Sequence, residues 1–246
     1  MKEINKYIVT GASSFLGKAF LEVFSRDAEN TVYAVTRKKM SNGSKYGANI
    51  KFIDGIDLSD YKQVVLLKEK LTNELETAFT IINCVGHFPG YKRIEELNGD
   101  EIRKTYEANV ISITNIGSVF LPLMKEHNKG DFIAFSMNTA YQSYPMLSAF
   151  IPSKVAVQEL IKIIANEYSQ YGISANIFAL STLLTEKELE LKPNGDKENW
   201  LQPKTIAEYV EKFLKNDTSI SNGNIIRLFK HSDRFFNDSY YNRTRK

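Results

Sequence analysis

Short apolar runs alternate with longer segments of helical period along the chain, the pattern of a parallel sheet covered on both faces by helices. The runs predict strands at Tyr7–Thr10, Thr31–Thr36, Ile50–Asp54, Phe79–Val85, Asp131–Ser136, Ile173–Ala179 and Asn224–Phe229. Between them, Val64, Val65, Leu67, Leu71 and Leu75 recur at helical spacing within Tyr61–Leu75. Further helices are expected at Phe15–Arg26, Asp100–Lys125 and Ser148–Tyr171, the second of them kinked near Pro122. Pro203 suits the first turn of a late helix whose Ile206, Tyr209, Val210, Phe213 and Leu214 share one face. With no internal repeat and no low-complexity linker, residues 1–246 are expected to form one α/β domain around a doubly wound parallel sheet. Residues 181–202 break the pattern: they are polar and charged, with Leu183, Leu184, Leu189 and Trp200 scattered among them. A long insertion here either covers a ligand, as a substrate-side loop, or is a surface loop.

Composition narrows the possibilities. A chain of 246 residues, 43% hydrophobic, can bury one sizeable core. A formal net charge of +3 gives no argument for a nucleic-acid partner. The stretch 234–246 is locally basic and aromatic, and reads as a surface or subunit-contact tail. Cys84 is the only cysteine, which rules out an internal disulfide. The chain runs from Met1 straight into an apolar strand without a signal-peptide profile, and no apolar run reaches membrane-spanning length. A cytoplasmic protein with no membrane partner is expected. His87, His127 and His231 are dispersed, so no metal site is expected either.

The first strand is followed by Thr10-Gly-Ala-Ser-Ser-Phe-Leu-Gly17, which opens the first helix, the context that a dinucleotide fingerprint requires. Gly11 permits the tight turn, Gly17 lets the helix pack against the strand, and N–H groups at the helix start would face a pyrophosphate. Asn83-Cys-Val-Gly86 ends the fourth strand, Asp57 follows the third, Asn109 stands in Glu-Ala-Asn-Val, and Lys154 sits in Phe-Ile-Pro-Ser-Lys. Together these residues resemble the short-chain dehydrogenase/reductase family over about residues 5–180, and more loosely over 203–230. The resemblance implies a Rossmann-like fold and an NAD(P) cofactor. It implies cofactor contacts at Gly11, Ser13, Ser14, Phe15, Leu16, Gly17, Asp57, Leu58, Asn83, Gly86, Lys154 and Thr185, with the adenine ring near Asp57 and the carboxamide near Thr185. Ser14 and Phe15 stand where the family has its middle glycine. Arg37-Lys38-Lys39 ends the second strand where NAD-preferring relatives place an acid, so a ribose 2′-phosphate is expected there, and NADP rather than NAD.

The reaction end departs from the family. There a Tyr-x-x-x-Lys motif supplies the proton donor and the lysine that tunes it, and a serine 13 residues before the tyrosine polarises the substrate carbonyl. Here Lys154 is kept, Phe150 takes the tyrosine position and Met137 the serine position. Neither a phenyl ring nor a thioether can pass that proton. Asn109 matches the asparagine that supports the lysine through a bound water. Leu180-Ser181 replaces the family's Pro-Gly. Ser136, Asn138, Tyr141, Tyr144 and Ser148 are nearby polar candidates, none at the family spacing. Three functions stay open: an oxidoreductase that transfers hydride to a small carbonyl or sugar-type substrate with a displaced acid or an ordered water, a catalytically inactive nucleotide-binding or subunit-forming protein, and a dehydratase or isomerase on the same fold. Members of the family commonly form dimers or tetramers through the helices bearing Asn109 and Lys154, so a homo-oligomer is expected.

Overall fold

In the computed structural model, which describes residues 5–40, 45–138, 143–216 and 218–231, seven parallel strands make one sheet. They are β1 (Asn5–Thr10), β2 (Asn30–Val35), β3 (Ile50–Ile53), β4 (Phe79–Asn83), β5 (Gly130–Met137), β6 (Ile173–Leu180) and β7 (Ile225–Leu228), in the order β3-β2-β1-β4-β5-β6-β7. The helices are α1 (Phe15–Phe24), α2 (Tyr61–Leu71), α3 (Gly99–Tyr106), α4 (Ser112–Glu126), α5 (Phe150–Tyr168), α6 (Glu186–Leu191) and α7 (Pro203–Leu214). β4 and β6 are buried along their whole length. Helices close both faces of the sheet, which is why these strands read as continuous apolar runs rather than as alternating ones.

Each face has its own core. On one, Val64 and Leu67 of α2, Ile113, Ile116 and Phe120 of α4 and Val157 and Ile161 of α5 pack on Ile8, Ile81 and Phe132. On the other, Phe20 and Phe24 of α1 and Ile206 and Val210 of α7 cover Tyr7, Ile133 and Phe178. The Phe178 ring meets Phe213 edge-on at 5.3 Å. Each such side chain contributes roughly 1.5–3 kcal/mol by leaving water, so the two apolar faces lock the register of the sheet.

The helix expected at Asp100–Lys125 is divided, and the interruption is not at Pro122. α4 continues through Pro122, which is exposed together with Ser118, whose carbonyl loses its partner; water can take over that bond. The irregularity is a π turn at Glu107–Ile111, between α3 and α4, and it contains Asn109. The helix expected from Ser148 begins at Phe150, with Lys154 in its second turn. Leaving β1, the chain turns back toward β2 and β3, whereas β4 leads on to β5. The crevice of a doubly wound sheet opens at such a reversal, outside the carboxyl ends of the strands. Here those ends are Thr10 and Asn83, paired in register, and both lead into glycine-bearing turns.

Candidate active site

The turn after β1 is built for close approach. Gly11 has φ +63, and a Cβ there would stand 2.8 Å from the Cys84 carbonyl carbon and the Val85 nitrogen. A Cβ on Gly17 would stand 2.3 Å from the Gly11 oxygen, so α1 can start flush against the strand only with glycine at that position. Ser14 caps α1, its Oγ accepting from the Gly17 N–H at 3.0 Å. Ser13 is exposed, whereas Ser14, Phe15 and Leu16 line a cavity of about 350 Å³. Phe15 is 43% exposed, in the place where the resemblance expects a glycine.

At the β2–β3 end, Arg37 and Asp57 meet: their charged groups lie 3.7 Å apart and both are partly exposed. Burial works against the Asp57 carboxylate, but hydrogen bonds from the Ser59 hydroxyl and N–H and the nearby Arg37 outweigh it and hold its pKa below the ordinary value. Lys38 and Lys39 are exposed. The Leu58 side chain lies in the core, and its carbonyl accepts from Asn115 Nδ2 at 3.0 Å. Asn83 accepts from the Thr10 hydroxyl at 2.6 Å and ties the ends of β1 and β4 together.

The reaction end gathers around Lys154. Its Nζ lies 3.5 Å, and Asn109 Oδ1 3.3 Å, from where a Gly86 Cβ would be, so a side chain there would crowd Asn109 and narrow that wall. The π turn aims Asn109 at the loop after β4: its Oδ1 accepts from the His87 N–H at 2.7 Å, and its Nδ2 donates to the His87 carbonyl at 3.1 Å and the Ser153 hydroxyl at 2.8 Å. These bonds pin the Gly86–His87 segment to the first turns of α5. Lys154 is 8% exposed, and its Nζ donates to the Phe135 carbonyl at 3.2 Å. Burial alone pulls the ammonium from its ordinary 10.5 down to about 8.

Phe150 lines the cavity, its ring 4.9 Å from that of Phe88 and its centroid 5.7 Å from Lys154 Nζ. Met137, Tyr144 and Leu147 form a small apolar cluster under Phe88, Tyr91 and Phe150. The other polar candidates are engaged elsewhere. The Ser136 hydroxyl donates to the Lys154 carbonyl at 3.1 Å and accepts from Gln158 Nε2 at 2.9 Å. Asn138 Oδ1 accepts from Arg227. Ser148 is half-buried outside the cavity lining. Tyr141 and the tail 234–246 lie outside the described residues.

Residues 181–202 fold over this site. Leu183 bridges Leu201, the Leu184 N–H reaching the Leu201 carbonyl at 2.8 Å, and the loop so closed carries α6. Thr185 caps α6 by accepting from the Glu188 N–H at 3.2 Å. Lys187 reaches across to the Phe88 carbonyl at 3.0 Å. Lys192 is 2% exposed, its Nζ 3.7 Å from Glu188 Oε2 and above the rings of Tyr91 and Trp200. His87, Phe88, Tyr91, Lys187, Glu188 and Lys192 were not singled out from the sequence as site residues. They have no motif spacing and come together only through the folding of this segment. Trp200, the only tryptophan and set in a polar stretch, was the one visible sign. Burial, then Lys104, Lys187 and Arg37, hold the His87 imidazole below its ordinary pKa. Among the described residues no cluster of His, Cys, Asp and Glu could hold a metal ion, and no helix is long and apolar enough to cross a membrane.

The fold recurs in known proteins. Oxidoreductase BOA17 of Botryotinia fuckeliana is 21% identical over 208 residues, covering 82% of this chain and 71% of that one. An NADP-dependent 3-hydroxy acid dehydrogenase of Schizosaccharomyces pombe is 24% identical over 220 residues, covering 82% and 84%. The fold matches that of ElxO with NADP bound at a TM-score of 0.81 and 19% identity, over 91% of this chain and 96% of ElxO. A tyrosine-to-phenylalanine variant of ElxO with NADPH bound matches at 0.80 and 20% identity, over the same shares. The family profile for short chain dehydrogenases matches residues 5–194, which contain the glycine turn, the Asn83–Gly86 strand end, the π turn at Asn109 and the helix of Lys154. The chain therefore belongs to the short-chain dehydrogenase family of oxidoreductases.

Proposed function

We propose that the protein binds NADP(H) in preference to NAD(H) and uses it to interconvert a small carbonyl compound and its alcohol, with a proton donor other than tyrosine. One observation carries the reading: the buried, uncompensated ammonium of Lys154 lines the same cavity as the glycine turn that opens α1. The cradle fits a dinucleotide, because Gly11, Gly17 and Gly86 each hold open a space that a Cβ would fill or narrow. The start of α1 with Ser14 and Leu16 would hold the pyrophosphate, Arg37 a 2′-phosphate, and Asp57 and Gly86 the adenosine. Lys154 and Thr185 would hold the nicotinamide riboside. When bound, the reduced cofactor supplies hydride. The relative from Schizosaccharomyces pombe is NADP-dependent by name, and the tyrosine-to-phenylalanine variant of ElxO still carries NADPH. Exposed Ile111 beside α4 and Ile163 on α5 suit a homo-oligomer paired through these helices.

A second reading has an observation of its own. Met137 and Phe150 offer no exchangeable proton at the two positions where the family has hydroxyls, which favours a nucleotide-binding protein without turnover. Fluorescence titration with NADPH and NADH, followed by NADPH consumption with a panel of ketones and aldehydes, separates the two. Tighter NADPH binding, levelled by Arg37→Ala, together with measurable consumption, supports the first. Binding without consumption supports the second. Absence of binding at millimolar nucleotide rejects both.

A further inference from the structure

The Lys154 ammonium has donors to spare. It carries three N–H groups, and one of them reaches the Phe135 carbonyl. Among the described residues no carboxylate pairs with it, and its side chain forms part of the cavity wall beside Phe150. Several other polar groups of this wall are occupied or held neutral, while the Tyr91 phenol and the buried Ser181 hydroxyl, which finds no partner among the described residues, also line it. The Ser136 hydroxyl is held between Gln158 and the Lys154 carbonyl. Ser14 and Thr185 cap helices. Lys187 is bound to the Phe88 carbonyl, and Lys192 is paired with Glu188. His87 is held toward its neutral form.

We propose that Lys154 is itself the proton donor of this site. As hydride from a reduced nicotinamide dinucleotide reaches the carbonyl carbon, the C=O π pair moves onto oxygen. That oxygen takes a proton from Nζ–H, leaving a neutral amine that solvent reprotonates. The proposal rests on the carbonyl-reducing reading above.

The acidity suits the task, because an acid that works near neutral pH needs a pKa near the working pH, and burial brings this ammonium to about 8. The groups that share its cavity wall or lie beside it come from several elements. Asn109 of the π turn, Ser136 of β5 and Ser14 before α1 are uncharged. His87 comes from the loop after β4, and Lys187, Glu188, Lys192 and Asp196 from the segment after β6. None of these charges contributes to the shift, which is burial alone.

The test is single-turnover NADPH oxidation with a reducible carbonyl from pH 6 to 10, on the parent, Lys154→Arg and Tyr91→Phe, with NADPH affinity titrated in parallel. A guanidinium keeps the charge and the donors but does not give up its proton in this range. The parent should be flat below pH about 8 and lose about tenfold per pH unit above it, as the ammonium deprotonates. Lys154→Arg should bind NADPH within a few-fold of the parent, lose roughly 10²–10⁴-fold in rate and show no break near pH 8. Tyr91→Phe, which removes the other phenol of the cavity wall, should keep the break near pH 8 whatever its rate. Unchanged turnover in Lys154→Arg, the same break in that variant, or loss of the break in Tyr91→Phe overturns the proposal while leaving carbonyl reduction intact. NADPH binding with no carbonyl reduced by the parent at any pH removes the reading itself, and the donor role with it.

Discussion

Replacing Lys154 by methionine should make the nucleotide-free protein more stable at neutral pH. The ammonium is 8% exposed and has no carboxylate partner among the described residues, so folding strips it of water with little return. A fall from 10.5 to about 8 corresponds to about 3 kcal/mol of preference for the neutral form. The direction follows from proton counting. At pH 7 both the folded and the unfolded chain carry the proton, and the fold bears the whole cost. Between about 8 and 10.5 the unfolded chain binds more protons, so stability rises with pH through that window. Methionine fills similar space without the charge but gives up the bond to the Phe135 carbonyl, worth about 1 kcal/mol net. The expected gain at pH 7 is therefore roughly 2 kcal/mol, or about 4–8 °C in Tm for a chain of this size. Urea unfolding of parent and variant at pH 7 and pH 10.5 measures it. Other titrating groups are common to both proteins and cancel in the difference, which should fall by about 3 kcal/mol and reverse sign by pH 10.5, leaving the variant about 1 kcal/mol the less stable there. A variant less stable than the parent at pH 7, or a difference that does not change with pH, would refute the reasoning. If Lys154 acts as proposed, the gain should come with a loss of function.

Three further outcomes are expected. The double change Met137→Ser with Phe150→Tyr should place two hydroxyls beside Lys154 and raise NADPH oxidation with generic ketones, by up to roughly 10²-fold if the new phenol is well placed; a brisk parental rate that Phe150→Tyr lowers would argue against it. Asn109→Ala leaves the His87 N–H and carbonyl without their partner and should cost about 1–3 kcal/mol, read as a lower urea midpoint; unchanged stability would mean that water replaces the side chain. Phe15→Gly should tighten NADPH binding by widening the approach to the start of α1, at a small cost in stability because the ring is 43% exposed; equal affinity by titration would show that the ring does not stand in the way.

The periodicity of the chain alone determined the seven strands, the doubly wound arrangement and the position of the glycine turn between β1 and α1. These features depend on local backbone preference and on which face of each element is apolar, and both are written in consecutive residues. Element ends moved by up to four residues, most at the end of α2, because hydrogen bonds rather than apolar patterning set them. The interruption at Glu107–Ile111 was not legible. Proline was the visible candidate for a break, but the π turn sits where Asn109 meets the loop after β4, a contact 22 residues distant in the chain. The sequence likewise placed Lys154, Phe150 and Met137 at family positions without saying what the lysine meets. Only the tertiary structure buried the ammonium without a carboxylate, turned Ser136 into the α5 contact and paired Arg37 with Asp57. It also folded residues 181–202 into the wall carrying Lys187, Glu188, Lys192 and Trp200. Desolvation and charge pairing are properties of what lies around an atom in space. A sequence read along one dimension carries the donors and the charges, and the fold decides which of them are left facing the cavity.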